Sequence, residues 1–222
     1  MHLKHFLPFF FISFSFAQSA VHKPSIDSLY REDQLYISGH LIALKNKPEG
    51  MAQNKISSGF SVGFLRDMPF TKSRRWAVGL GLGYAYQKLN HNLKITNNDT
   101  YGIINEDFES NSLTLQYAEI PLEIRWRNST PESHIFWRIY TGFKVSYLLR
   151  SESKFSAETQ NISLKNNPNI RKFQTGVYLS AGQNTWNGYV FYGLQPLFQK
   201  AFIGDKSLEI NQLQIGLMFY IL

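Results

Sequence analysis

From Trp76 to Gln87 the chain alternates without a break. Trp76, Val78, Leu80, Leu82, Tyr84 and Tyr86 share one face of an extended strand, and Ala77, Gly79, Gly81, Gly83 and Ala85 share the other. A period of two is the strand period; on a helix these residues would be scattered around the axis. A strand of a soluble sandwich sets polar residues against its apolar face. Here a continuous, large apolar face opposes one that is almost free of side chains. That combination suits a narrow barrel with lipid outside and a crowded lumen inside.

The same rule recurs along the chain. Trp137, Ile139, Phe143, Val145, Tyr147 and Leu149 alternate with Arg138, Tyr140, Gly142, Lys144 and Ser146. Phe173, Val177 and Leu179 alternate with Gln174, Gly176, Tyr178 and Ser180, and Val190, Tyr192 and Leu194 oppose Tyr189 and Gly193. The last segment sets Leu213, Ile215, Leu217, Phe219 and Ile221 against Gln214, Gly216, Met218 and Tyr220. Weaker strands cover about Gln34 to Leu44 and Ser57 to Arg66. One segment changes phase: Leu113, Leu115 and Tyr117 are odd-numbered, whereas Ile120, Leu122, Ile124 and Trp126 are even. The expectation is one long strand with an extra residue near Ala118 and Glu119, followed by Pro121, which has no ladder donor. The fold class expected is all-β, a transmembrane antiparallel up-and-down barrel of about eight strands, an even number that closes without edges.

The connections give an orientation. With the first strand entering from the periplasm, the inner turns are Asp67 to Arg75, Asn128 to His134 and Gln183 to Thr185. The outer loops are Lys45 to Ile56, Asn90 to Asn111, Arg150 to Arg171 and Lys200 to Ser207. Short inner turns and longer outer loops are the asymmetry of outer-membrane barrels. Trp76, Trp126, Trp137 and Trp186, the four tryptophans of the chain, all fall at inner strand ends, where indoles favour the membrane–water boundary. They are read as a periplasmic aromatic girdle.

The N-terminus has a different character. A basic start with Lys4 leads into the apolar run Phe6 to Phe16, followed by Ala17. The run is too short for a membrane-spanning helix and reads as a secretory signal over residues 1–17. An N-terminal periplasmic arm over 18–33 and the barrel over 34–222 complete the division expected. The chain contains no cysteine, hence neither a disulfide framework nor a lipid-anchoring thiol. Its formal charge of +7 would suit nucleic acid in a cytoplasmic protein, but export to the outer membrane removes that partner. The remaining reading is a basic surface near anionic headgroups, with outer-membrane lipid as partner.

Chemistry is confined to the lumen and the C-terminus. In the phase of Ile120 to Trp126, Glu119, Glu123, Arg125 and Arg127 point inward, joined by Arg138 and Lys144 from the next strand. Charges in so narrow an interior must pair, so Glu119 and Glu123 are expected to form a network with Arg125, Arg138 and Lys144 that plugs the barrel. Of the mature histidines His22, His40, His91 and His134, only His40 lies in a strand, beside Ser38 on the lumen face. A lone lumen histidine reads as polar filler. No GxSxG, HExxH, phosphate loop or metal-spaced cluster occurs. No catalytic residue, cofactor or metal is expected, and the chain reads as a non-enzyme. Gln214, Gly216, Phe219 and Ile221 have the spacing of the assembly signal presented to the barrel assembly machinery.

Several segments together resemble the PorT family, the small outer-membrane barrel of the type IX protein secretion system of Bacteroidota. They include Phe64-Leu-Arg-Asp-Met-Pro69, Gly79-Leu-Gly-Leu-Gly-Tyr84 and Ser180-Ala-Gly-Gln-Asn-Thr-Trp186. The more specific blocks are Ala118-Glu-Ile-Pro-Leu-Glu-Ile-Arg-Trp126 and Phe136-Trp-Arg-Ile-Tyr-Thr-Gly-Phe-Lys144. The resemblance implies a part in exporting proteins, with other secretion-system proteins as partners, and in gliding bacteria in placing surface adhesins. An eight-strand barrel is too narrow to pass a folded protein, so the expected role is accessory. The alternatives are a small porin or adhesion barrel without a secretion role, and a barrel-rim lipid enzyme using His40.

Overall fold

The computed structural model describes residues 33–53, 55–97, 100–128 and 136–221. The signal segment and nearly all of the expected N-terminal arm lie outside them, as does most of the turn after Asn128. The barrel strands are β1 (Gln34–Lys45), β2 (Ser58–Pro69), β3 (Trp76–Asn90), β4 (Ser110–Arg127), β5 (Trp137–Ala157), β6 (Phe173–Gln183), β7 (Trp186–Gly193) and β8 (Asn211–Ile221). Each pairs antiparallel with its sequence neighbour, and β8 returns to β1 from Leu35↔Ile221 to Lys45↔Asn211. The sheet closes on itself, so these strands satisfy one another's backbone groups without leaving an edge to lipid. The expected eight-strand antiparallel barrel is the fold observed.

Alternation fixes the two faces. Leu35, Phe64, Leu82, Leu122, Phe143, Leu179, Val190 and Leu217 are exposed on the outside, whereas Tyr36, Leu65, Glu123, Tyr140, Tyr178, Tyr189 and Met218 are buried inside. An exterior this apolar is unstable in water and suits a hydrocarbon surround. On β4 the lipid-facing residues run from Trp126 to Ala118, roughly 26 Å along a strand. Beyond them Gln116, Thr114, Ser112 and Ser110 continue outward with the polar edge of β5, a projection of roughly 20 Å along the strand.

The phase slip exists, but it lies in the neighbouring strand. Gln116 faces Arg150 and Tyr117 faces Leu148, so the extra residue is Leu149 of β5. β4 itself keeps one phase throughout, with Leu113, Leu115, Tyr117, Glu119, Glu123, Arg125 and Arg127 all buried. The β3–β4 register is likewise constant across Pro121, with Leu80↔Leu122 and Gly83↔Glu119, although no pairs form between them. The expectation of a bulge near Ala118 failed for a physical reason. The outer half of the lumen is apolar, so hydrophobicity there marks the inside and not the lipid face.

Three of the expected outer loops are also more ordered than a polar composition implies. β5 runs on to Ala157 and forms a hairpin with Gln160–Lys165. The segment after β3 folds into a second hairpin, Leu93–Ile95 against Tyr101–Ile103. A further pair, Phe202–Ile203 with Lys206–Ser207, lies before β8. Leu93, Ile95 and Tyr101 of the second hairpin, with Ile170, Leu197, Phe198, Leu208 and Ile210 of the connecting segments, cluster with Ile42, Leu44, Leu89, Leu113 and Leu115. The outer mouth is therefore covered by a continuous apolar core.

Candidate functional site

The floor of the lumen is built by side chains that converge from β1, β2 and β4. Their alternation turns Asp67, Glu123, Arg125, Arg127 and Gln34 to the inside, and all five are buried. Arg125 Nη1 donates to Asp67 Oδ1 at 2.9 Å, Arg125 Nε to Glu123 Oε2 at 2.7 Å, and Arg125 Nη2 to Gln34 Oε1 at 2.8 Å. Arg127 Nη1 reaches the other oxygen of Asp67 at 3.0 Å. One carboxylate thus bridges two guanidiniums, the geometry in which buried charge is tolerable. Glu123 is further held by the Tyr178 hydroxyl at 2.6 Å, and the Arg125 guanidinium stands 4.6 Å from the Tyr140 ring.

A second pair lies higher. Lys144 Nζ is 3.0 Å from Glu119 Oε1 and donates to Tyr189 Oη at 3.0 Å, with the Phe191 ring 4.7 Å away. The space left among Tyr36, Glu119, Glu123, Lys144 and Tyr178 is about 10 Å³, room for roughly one water molecule. The glycine face of β3 is what admits these side chains. A methyl carbon at Gly79 would lie 2.9 Å from Arg125 Nε, and one at Gly83 would overlap the Tyr36 hydroxyl. The bare face read from the sequence is filled by residues leaning across from neighbouring strands.

Of the expected network, Glu123 with Arg125 and Glu119 with Lys144 are brought together in separate clusters. Arg138 is buried, its guanidinium 4.6 Å from the Phe136 ring and 5.8 Å from the Tyr220 ring. Asp67, which joins Arg125 to Arg127, was missed because Asp-Met-Pro reads as a turn. β2 continues to Pro69, and extending its parity from Ser61 through Gly63 and Leu65 reaches Asp67. The lumen tyrosines were legible by parity in the same way.

The tryptophans occupy one rim. Trp76 pairs directly with Trp126, and Trp137 and Trp186 both pair with Gln183. Trp76, Trp137 and Trp186 are exposed; the Trp186 ring packs edge-on against Phe219 at 4.7 Å. Gln214 and Gly216 face the lumen on β8, while Phe219 and Ile221 lie on its outer face. His40 is buried in the lumen, and no residue of the described structure forms a hydrogen bond to either ring nitrogen. Among the described residues no three His, Asp or Glu side chains are grouped so as to hold a metal ion.

A closed antiparallel barrel with an apolar exterior fits the family whose model the sequence matches. The model of the outer membrane protein beta-barrel domain matches residues 16–199. The chain belongs to that family. This outer-membrane barrel is also similar to the crystal structure of Ail, the attachment invasion locus protein of Yersinia pestis. The likeness covers 86% of this chain and 99% of that one, at 11% identity and a TM-score of 0.34. No curated protein matches the sequence.

Proposed function

We propose that this outer-membrane barrel is a non-conducting accessory component of type IX protein secretion. The observation that carries the reading is the closed lumen. Asp67, Arg125, Arg127 and Glu123 fill its floor, and the apolar cap around Leu93, Phe198 and Ile210 covers its mouth. Neither a solute nor an unfolded polypeptide has a path through such an interior. What remains available for function is the surface. The two blocks most specific to the PorT resemblance, Ala118–Trp126 and Phe136–Lys144, also supply most of the charged plug.

In this reading the barrel supports a larger conduit and contacts other secretion-system proteins after insertion by the barrel assembly machinery. It acts without a catalytic residue or cofactor. Deleting the gene and comparing secreted proteins tests it: loss of cargo from the medium and cell surface is expected. Unchanged secretion would overturn it.

A second reading, an adhesion barrel without a secretion role, is favoured by the projection of β4 and β5 beyond the lipid belt. Normal secretion with impaired attachment in the same deletion strain is its signature. The lipid-enzyme reading predicts that His40→Ala alters lipid A structure; an unchanged lipid A would dispose of it.

A further inference from the structure

The outer rim of the lipid belt differs around the barrel. On β6 and β7 the outermost outward-facing strand residues are Phe173 and Tyr192, both exposed and neither charged. On β3, β4 and β5 the outward face turns polar at its outer end. It passes from Tyr86 to Lys88, from Ala118 to Gln116 and, across the extra residue Leu149, from Tyr147 to Arg150. Alternation puts these residues on the same side as the lipid-facing Leu82, Leu122 and Phe143. They therefore meet the outer leaflet and not the lumen.

Strand pairing joins them into one patch. Lys88 stands opposite Thr114, Thr114 opposite Glu152, and Glu152 opposite Lys165. Gln116 stands between Tyr86 and Arg150, and Lys154 faces Ser112. Directly paired residues project to the same side of a sheet, so Lys88, Arg150, Lys154 and Lys165 share this face. The single carboxylate in these rows is Glu152, which lies 3.4 Å from Lys154 Nζ. Lys88 and Arg150 are exposed, and neither has an ion pair or a side-chain hydrogen bond among the described residues. Strand spacing and rise put their Cα atoms roughly 12 Å apart. Thr114 and Gln116 lie between them and offer a hydroxyl and an amide as neutral donors.

We infer that this patch on β3, β4 and β5 binds the phosphorylated headgroup of one lipid A molecule in the outer leaflet. Cations at the end of an apolar strand face sit at headgroup depth, where anionic lipid supplies their countercharge. Lipid A carries that charge as a phosphate at each end of a glucosamine disaccharide, a headgroup on the scale of the gap between Lys88 and Arg150. The Arg150 fork donates two N–H bonds to one phosphate, and Lys88 places a compact charge at the other. Thr114 and Gln116 donate to the sugar oxygens between them. Tyr86 and Leu149, on the belt side, support the acyl chains. Lys154 neutralises Glu152, so that carboxylate does not repel the ligand. The inference does not depend on a role in secretion.

Native mass spectrometry of the intact barrel in nonionic detergent provides the test. Diphosphoryl lipid A, its fully dephosphorylated form and phosphatidylglycerol are added one at a time, in ammonium acetate of physiological ionic strength. One diphosphoryl lipid A should be retained per barrel at saturation, with the other two lipids held at least about tenfold more weakly. The double variant Lys88→Gln/Arg150→Gln should weaken retention of diphosphoryl lipid A by about tenfold or more, since charge-assisted hydrogen bonds are removed. Lys206→Gln, at an exposed cation in the loop before β8, should leave it unchanged. All three positions are exposed, and retained heat-modifiable migration shows that each variant is folded. Absence of a saturable lipid A adduct, equal retention of either comparison lipid, unchanged retention in the double variant, or equal loss in Lys206→Gln would overturn the inference.

Discussion

Arg125 and Asp67 are 2.9 Å apart with both side chains wholly buried, and Arg127 shares the same carboxylate at 3.0 Å. Removing Asp67 therefore strands two guanidiniums inside the lumen. Asp67→Ala should cost about 3–5 kcal/mol of stability, read as a fall in the urea midpoint of unfolding in detergent. Arg66→Ala, next along β2 but facing out with its side chain half exposed, should cost far less.

Glu119 and Lys144 form the second buried pair. Glu119→Gln and Lys144→Met should each destabilise strongly, because each leaves its partner charged in the lumen without its countercharge. Combined, they should cost less than the sum of the singles by about 0.5–3 kcal/mol, the usual coupling of contacting groups. A double-mutant cycle on unfolding free energies measures this. Strict additivity would mean that the pair does not interact.

Gly79 is needed for the space that it leaves. Gly79→Val should crowd the Arg125 side chain against Glu123 and cost about 1–3 kcal/mol or more. Gly188 offers a control, because the nearest atom to a methyl carbon built there is 3.7 Å away. Gly188→Ala should change stability by less than about 0.5 kcal/mol. Folded yield and the unfolding midpoint of the two variants separate a packing requirement from a general intolerance of larger residues in the barrel strands.

His91 lies outside the lipid belt, buried under the outer cap, with Nδ1 accepting the Leu93 N–H at 3.2 Å. Burial pushes its pKa down from 6.5 to about 4. The open cap thus binds a proton that the closed cap excludes between these values, and closure weakens as pH falls through that window. Above pH 6.5 the effect is absent, and below about 4 it levels off. Hydrogen exchange at the Leu93 amide, corrected for intrinsic rate, should show protection falling between pH 7 and 4. His91→Gln should remove that part of the dependence.

The barrel was legible in the sequence wherever its two faces differ chemically. From Trp76 to Tyr86 the outside is apolar and the inside is glycine or alanine, so parity alone gives the face. The outer half of β4 defeats the same logic. Leu113, Leu115 and Tyr117 face an apolar cap core while Thr114 and Gln116 on the outside are polar, so the hydrophobic face there is the inner one. The true slip at Leu149 was masked because Leu148 and Leu149 are both leucine. Asp67 was lost to turn composition. The hairpins beyond the belt were hidden by polar sequence, since strands that project into water need no lipid face. The division of the charges into a floor around Asp67 and a higher Glu119–Lys144 pair depends on strand stagger, which no single-strand pattern contains.

Closure of the lumen is tested most directly by single-channel recording of the purified barrel in a planar bilayer. We expect no stable conductance for the native protein, with the charged floor and the apolar cap both in place. A large, stable pore would contradict it.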